Sequence, residues 1–200
     1  MIDERFIIFG AFINFLGAMS YLVSTLRGRT KPNKVTWLLW AAAPMLAFSA
    51  EIKQGVGLIS LTTFMAGFNP ILIFLVSFVN KKSKWKISKF DIVCGSLSVL
   101  GLILWQITKV PNFAILFAIM ADGLAATPTV VKSYTNPETE NAAAYFVAMI
   151  SGTIAILTVK TWGFAHYAFP VYIVVICFIL FTLIQFKLGS KIQRAYKKQY

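Results

Sequence analysis

The chain has 200 residues, of which 58% are hydrophobic and only 13% charged, and its mean hydropathy is +0.74. An average soluble domain is about half apolar and about one quarter charged, so this composition excludes a large soluble domain. The net charge of +12 is compatible with nucleic-acid binding, but the basic residues flank long apolar runs. We therefore assign them to membrane topology and expect no nucleic-acid partner.

Seven apolar segments are long enough to cross, or nearly cross, a bilayer of about 30 Å at about 1.5 Å per residue. Their hydrophobic residues are continuous rather than alternating, which predicts helices and not strands. The segments are Phe6–Leu26, Val35–Ile52, Val56–Val79, Phe90–Thr108, Asn112–Val131, Asn141–Val159 and Trp162–Phe186.

Most of the 19 lysines and arginines follow the first, third, fifth and seventh segments. The positive-inside rule then places the N-terminus outside and the C-terminus in the cytoplasm, and we expect a plasma or inner membrane location. The basic stretch Lys81–Lys89, or the tail, is a candidate contact for anionic lipids. The final residues Lys197-Lys198-Gln199-Tyr200 form either a simple basic end or, in a eukaryotic cell, a dilysine retrieval signal.

An internal duplication is indicated by two stretches at equivalent places in the hydrophobic pattern. Asp122–Asn141 resembles Gly17–Thr36. The matched pairs are Lys132 with Arg27, Thr135 with Thr30, and Pro137 with Pro32.

The duplication extends to a later pair of segments, because Phe68–Ile71 resembles Ala168–Val171. Segments one to three then match segments five to seven, and the fourth is a linker that lets both units cross in the same direction. We predict an all-α seven-helix membrane bundle with two parallel three-helix repeats, at residues 1–80 and 111–187. Residues 81–110 would form the basic loop and linker helix, and residues 188–200 a basic cytoplasmic tail.

This plan resembles the SWEET and PQ-loop transporter superfamily over essentially the whole chain. The proline-glutamine pair of that family falls on Pro128-Thr129 in the second unit and on Val23-Ser24 in the first, so only Pro128 matches. The resemblance implies transport of a sugar, an amino acid or another small solute, although one branch of the superfamily is a peptide-binding receptor. It also implies a substrate-binding role for Asn69, whose counterpart in the second unit is Phe169.

Three polar residues at mid-segment are candidates for a solute site. Asp122 lies where an ionised side chain costs roughly 2.5–3.5 kcal/mol, so we expect it to face a cavity or the bundle interior. It would bind solute or couple a proton, or else be neutralised for packing alone. Asn14 and Asn69 lie at comparable depth and would either bind solute or join helices by hydrogen bonds.

Aromatic and proline residues complete the candidate set. Trp37 and Trp40 begin the second segment, and Tyr145 holds the place of Trp40 in the sixth. They are either interfacial anchors or walls of a solute pocket, and for the pocket we select Trp40 and Tyr145. Prolines inside apolar helices remove a backbone donor and kink the helix, which gives four candidate hinges. These are Pro44, Pro70, Pro128 and Pro170.

No residue pattern indicates catalysis, a metal site or a cofactor. The chain has a single histidine, His166, and no phosphate-binding or dinucleotide motif. Cys94 and Cys177 lie in apolar runs and are interpreted as small hydrophobic residues. Glu51 at a segment end and the pair Glu138 and Glu140 in a polar turn are expected to be solvated.

The leading hypothesis is therefore a facilitator or proton-coupled carrier of a small polar solute. The alternative is a non-transporting receptor or partner subunit with the same fold. One chain would already hold both repeats, so transport does not require a homo-oligomer, but the sequence leaves the oligomeric state open.

Overall fold

The computed structural model describes residues 2–79, 82, 85–107 and 110–192. No strand occurs among these residues, so the prediction of an all-α fold is confirmed. Short 3-10 turns at Gly57–Ile59 and Pro137–Thr139 precede the third and sixth helices. Helices α1 to α7 span Phe6–Leu26, Lys34–Lys53, Ser60–Val76, Lys89–Ile107, Pro111–Thr135, Ala142–Thr158 and Phe164–Gln185.

The helices follow the predicted apolar segments closely, and the largest difference at a C-terminal end is in α5. Its segment was expected to end at Val131, before the charge of Lys132, but the helix continues to Thr135. Lys132 does not end the helix because its ammonium group is paired inside the protein. Three parts of the predicted plan lie outside the described residues: Thr108, most of the basic stretch between Lys81 and Lys84, and the tail from residue 193.

Five helical stretches have the length and apolar composition to cross a membrane, which supports a multi-pass membrane protein. Helix α6 is apolar but shorter. The outward surface is strongly apolar: Phe9 and Phe12 on α1 are 55% and 59% exposed, and Ile103 on α4 is 50% exposed. Such a surface suits lipid rather than water, because continuous exposed apolar faces are rare on soluble monomers. The five stretches are Phe6–Leu26, Lys34–Lys53, Gly57–Val76, Ile115–Thr135 and Phe164–Gln185.

Two asparagines fix the starts of α2 and α6 in the same way. Asn33 Oδ1 accepts hydrogen bonds from the backbone N–H groups of Val35 and Thr36. Asn141 Oδ1 accepts from the corresponding N–H groups at the start of α6. Asparagine is a favoured N-cap because its side-chain oxygen pairs with the otherwise free N–H groups of a first helical turn.

Helix packing is pairwise and regular. Helix α2 packs on α3, as α6 packs on α7; α1 packs on α3, as α5 packs on α7. Helices α1–α3 contact helices α5–α7 through α1 against α6 and α2 against α5, while α4 lies mainly on α5. One apolar cluster joins Ile7, Ile115 and Ala165, near the starts of α1, α5 and α7, to Val159 at the end of α6. These three helices therefore run in the same direction, and α6 runs against them.

We call the other end of the bundle the basic end, since it carries Arg27, Arg29, Lys31, Lys34 and Lys132. Gly28 ends α1 there with a φ of 73°, a left-handed conformation that glycine adopts at little cost. This turn directs the chain across the bundle toward α2.

Close contact between α2 and α3 depends on Gly67. A Cβ atom at this position would lie 2.7 Å from Met45 Cγ and 3.1 Å from the Met45 backbone nitrogen. By contrast, a Cβ atom at Gly123 in α5 would meet nothing nearer than Tyr172, at 3.9 Å.

The same Gly→Ala change should therefore have opposite effects at these two positions. Gly67→Ala is expected to lower stability by about 1–3 kcal/mol, because it forces α2 and α3 apart. Gly123→Ala should be neutral or stabilising by up to about 1 kcal/mol, since alanine favours the helix. Thermal unfolding of both variants in the same detergent measures the two changes in stability. Equal stability of the two variants would contradict the close contact.

Candidate functional site

A cavity of about 90 Å³ lies between the helices, with contributions from α1, α2, α3, α5, α6 and α7. Its wall is mainly apolar and carries few polar groups, as in most small-molecule sites. All five residues that the sequence selects for a solute site line it: Asn14, Trp40, Asn69, Asp122 and Tyr145. Whether they bind a solute remains a prediction.

Asp122 lies in this wall with 3% of its surface exposed. Its Oδ2 accepts a hydrogen bond of 2.5 Å from the hydroxyl of Tyr172 on α7. Its Oδ1 is buried and has no hydrogen-bond partner among the described residues. The sequence argument that a mid-helix acid must face the interior agrees with this position. The sequence gives no indication of Tyr172, because the contact joins two distant helices.

The two asparagines contact each other across the α1–α3 interface. Asn69 Nδ2 donates to Asn14 Oδ1 at 3.3 Å, which joins the two helices. Asn69 Oδ1 is buried and accepts no hydrogen bond within the part of the chain that the structure describes. The pair therefore links two helices, which is one of its two expected roles, and whether it also binds solute remains a prediction.

Four aromatic residues form a continuous group between the cavity and the basic end. Ring centroids are 4.7 Å apart for Tyr21 and Trp37, 5.1 Å for Trp37 and Trp40, and 6.3 Å for Trp40 and Tyr145. Trp40 Nε1 donates to the backbone oxygen of Asp122 at 3.3 Å and so fixes its ring beside the acid. Trp37 and Trp40 are buried, so the structure favours a pocket wall over interfacial anchors.

The four interior prolines divide into two pairs. Pro44 in α2 and Pro70 in α3 line the cavity. Pro128 in α5 and Pro170 in α7 are buried but do not belong to the cavity wall. All four lie inside continuous helices, and their use as hinges remains a prediction.

A buried ion pair near the basic end was missed in the sequence. Lys132 Nζ lies 2.6 Å from Glu140 Oε1, and both side chains are almost fully enclosed. The other carboxylate oxygen, Oε2, accepts from the hydroxyls of Tyr21 at 2.9 Å and Tyr145 at 3.1 Å. Lys132 also donates to the backbone oxygen of Lys31. The expectation that Glu140 is solvated is therefore wrong.

The reason for this error is that a polar turn can fold back over a bundle when its charge finds a partner there. The short distance between Lys132 and Glu140 in the sequence was a usable signal, because the two residues flank one turn with opposite charges. Glu51 was misjudged in the same way: it is 1% exposed, and its Oε1 accepts from Thr63 at 2.9 Å. Glu138 is exposed, as expected.

Breaking the buried ion pair should destabilise the fold strongly. Lys132→Met leaves Glu140 buried without its counter-charge, which typically costs about 3–5 kcal/mol. The matched control is Lys160→Met, whose partner Glu4 lies 3.4 Å away with both side chains more than half exposed. That change should cost less than about 1 kcal/mol. Denaturant or thermal unfolding measures both effects.

The double variant Lys132→Met with Glu140→Gln should recover part of the lost stability, because it removes the unpaired charge. Equal, small losses for Lys132→Met and Lys160→Met would mean that the buried pair is not formed.

Comparison of the chain with family models, curated proteins and solved structures finds no match. The chemistry of the cavity is therefore argued from its own residues. It can enclose a compact polar solute, accept hydrogen bonds from it through Asp122 and Asn69, and cover it with indole and phenol rings.

Proposed function

We propose that this protein is a membrane carrier, either a facilitator or a proton-coupled transporter, for a small polar solute such as a sugar or an amino acid. The observation that carries the proposal is the central cavity, where an apolar wall holds buried polar atoms that have no hydrogen-bond partner among the residues the structure describes. Such groups are costly inside a membrane bundle, and a bound solute would satisfy them.

The architecture we propose is two parallel three-helix units, α1–α3 and α5–α7, joined by α4. Three features support it. The contacts within α1–α3 correspond to those within α5–α7, and the α1–α6 contact corresponds to α5–α2. Helices α2 and α6 begin with equivalent asparagine caps. The starts of α1, α5 and α7 lie together. This is the plan that the SWEET and PQ-loop resemblance implies.

In this proposal the cavity opens alternately to the two sides of the membrane as one unit rocks against the other. The path to the basic end is covered by the aromatic group and by the Lys132–Glu140 pair. Tyr145 belongs to both, because its ring lines the cavity and its hydroxyl donates to Glu140. Kinks at Pro44, Pro70, Pro128 and Pro170 would permit the movement.

The basic end would face the cytoplasm of the plasma or inner membrane, where Lys and Arg residues concentrate. It would also contact anionic lipids there. One chain supplies the whole cavity, so transport would not need a homo-oligomer.

A second candidate is a non-transporting receptor or partner subunit. The hydrogen bonds Asn69–Asn14 and Tyr172–Asp122 favour it, because each also serves to hold two helices together. A receptor would bind a ligand in the cavity without moving it across the membrane.

The proposed orientation predicts which loops are reachable from outside. After both native cysteines, Cys94 and Cys177, are replaced by alanine, Gln54→Cys should react with a membrane-impermeant maleimide on intact cells. Arg29→Cys should react only in inverted vesicles. Both residues are exposed, so the two sites differ mainly in the side of the membrane they face. Labelling with the sides reversed would contradict the orientation.

Transport is predicted to depend on Asp122. In proteoliposomes, uptake from a panel of small polar solutes should be saturable for at least one of them. Asp122→Asn should lower it by roughly tenfold or more, because hydrogen bonds to charged groups contribute about 1.5–3 kcal/mol. The control is Glu51→Gln, which alters a buried acid outside the cavity wall and should retain uptake.

Unchanged uptake by the Asp122→Asn variant would mean that this acid is not part of the transport site. A solute that binds to the protein without saturable uptake would support the receptor instead.

A further inference from the structure

Three buried polar atoms of the cavity wall have no hydrogen-bond partner in the described part of the chain. Two are acceptors, Asp122 Oδ1 and Asn69 Oδ1, and one is a donor, Trp37 Nε1. Their side chains are at least nine-tenths buried. A ligand that donates two hydrogen bonds and accepts one would satisfy all three atoms.

The charge of the cavity wall further restricts the class of ligand that we expect. Asp122 is its acidic residue, and no described residue of the wall is basic. Lys132, the nearest buried cation along α5, is already paired with Glu140 and with the backbone of Lys31. Tyr172 donates a hydrogen bond to Asp122 but supplies no positive charge. A cationic ligand would supply a counter-charge to the ionised form of Asp122, whereas a neutral solute would not.

The aromatic wall suits the same kind of ligand. Trp37, Trp40 and Tyr145 present indole and phenol rings to the cavity, and their faces attract a cation placed within about 6 Å. The hydrogen bond from Trp40 to the Asp122 backbone holds one of these rings next to the acid. A ligand in this cavity would therefore lie near both Asp122 and the aromatic rings, because all of them line its wall.

The size of the cavity limits the ligand to a compact molecule. Each water-sized group needs roughly 10–15 Å³ of such space, so a cavity of about 90 Å³ holds only several of them. A cation of a few heavy atoms fits, and a hexose does not fit in this conformation.

We propose that the ligand of this cavity is a small organic ammonium ion, with its charged group on Asp122 and Asn69 and against the ring of Trp40. A hydroxyl or carbonyl oxygen on the same molecule would accept from Trp37 Nε1. A protonated amino alcohol has all these groups. The inference rests on the proposed function in taking this cavity as the solute site, and it replaces the general polar solute with a charged class.

The test compares two nearly isosteric ligands that differ in charge. Protonated ethanolamine and ethylene glycol are titrated at neutral pH into the full-length protein in lipid nanodiscs, and binding is measured by calorimetry. Ethanolamine should bind at least about tenfold more tightly, because its charged group forms charge-assisted hydrogen bonds. Equal binding of the two compounds, or no binding of ethanolamine, would overturn the inference.

Variants test whether the preference for ethanolamine over ethylene glycol depends on this cavity. Asp122→Asn should abolish the preference for ethanolamine, while Glu51→Gln should preserve it. If Asp122→Asn does not fold, Asn69→Leu serves instead: it removes one acceptor at similar volume and should weaken ethanolamine more than ethylene glycol. An unchanged preference in the folded variants would overturn the assignment to this cavity.

Flux measurements separate this inference from the proposed function. Ethanolamine that binds with the expected preference but is not taken up by proteoliposomes would support the ligand class and contradict the carrier. Saturable uptake of a neutral solute that ethanolamine does not inhibit would support the carrier and contradict the ligand class.

Discussion

Inside this bundle several buried polar side chains have their hydrogen-bond partner on another helix, because the apolar side chains and the surrounding lipid supply none. Thr36 Oγ1 donates to the backbone oxygen of Ala125 at 2.8 Å, which joins α2 to α5. Ser98 Oγ donates to the backbone oxygen of Ala121 at 2.6 Å, which joins α4 to α5. These bonds position the helices around α5 more specifically than apolar packing alone, since they act in only one arrangement.

Helix α5 is therefore the helix that joins several of its neighbours. Along its length it bonds to α2 and α4 through its backbone, to α7 through Asp122, and to the loop before α6 through Lys132. A relative movement of the two halves must exchange some of these contacts. The bonds made by Trp40 and Thr36 cross from α2 to α5, so such a movement would strain them. It would also strain the bond from Tyr21 on α1 to Glu140 before α6.

Hydropathy was enough to locate the helices, because an apolar run bounded by charged or polar turns has few alternatives in a membrane. It also placed Asp122, Asn14 and Asn69 at one cavity, since polar residues at mid-helix must face the interior. What it could not supply were contacts between distant segments. Tyr172 and Asp122 lie on α7 and α5 with helix α6 between them in the chain, and no local pattern joins them.

The errors have the same physical origin. Glu140 and Glu51 were assigned to solvent from their position near segment ends, whereas tertiary contacts with Lys132 and Thr63 bury them. The end of α5 was placed too early for the same reason, since Lys132 looked like a boundary. A charge marks the edge of a membrane segment only when nothing inside the protein neutralises it.

The indole of Trp40 has an optical consequence. Its N–H group is held by the Asp122 carbonyl and its ring forms part of the cavity wall, so anything that enters changes the polarity around a natural fluorophore. The emission of Trp40 would therefore respond to a molecule bound in the cavity, without any attached dye.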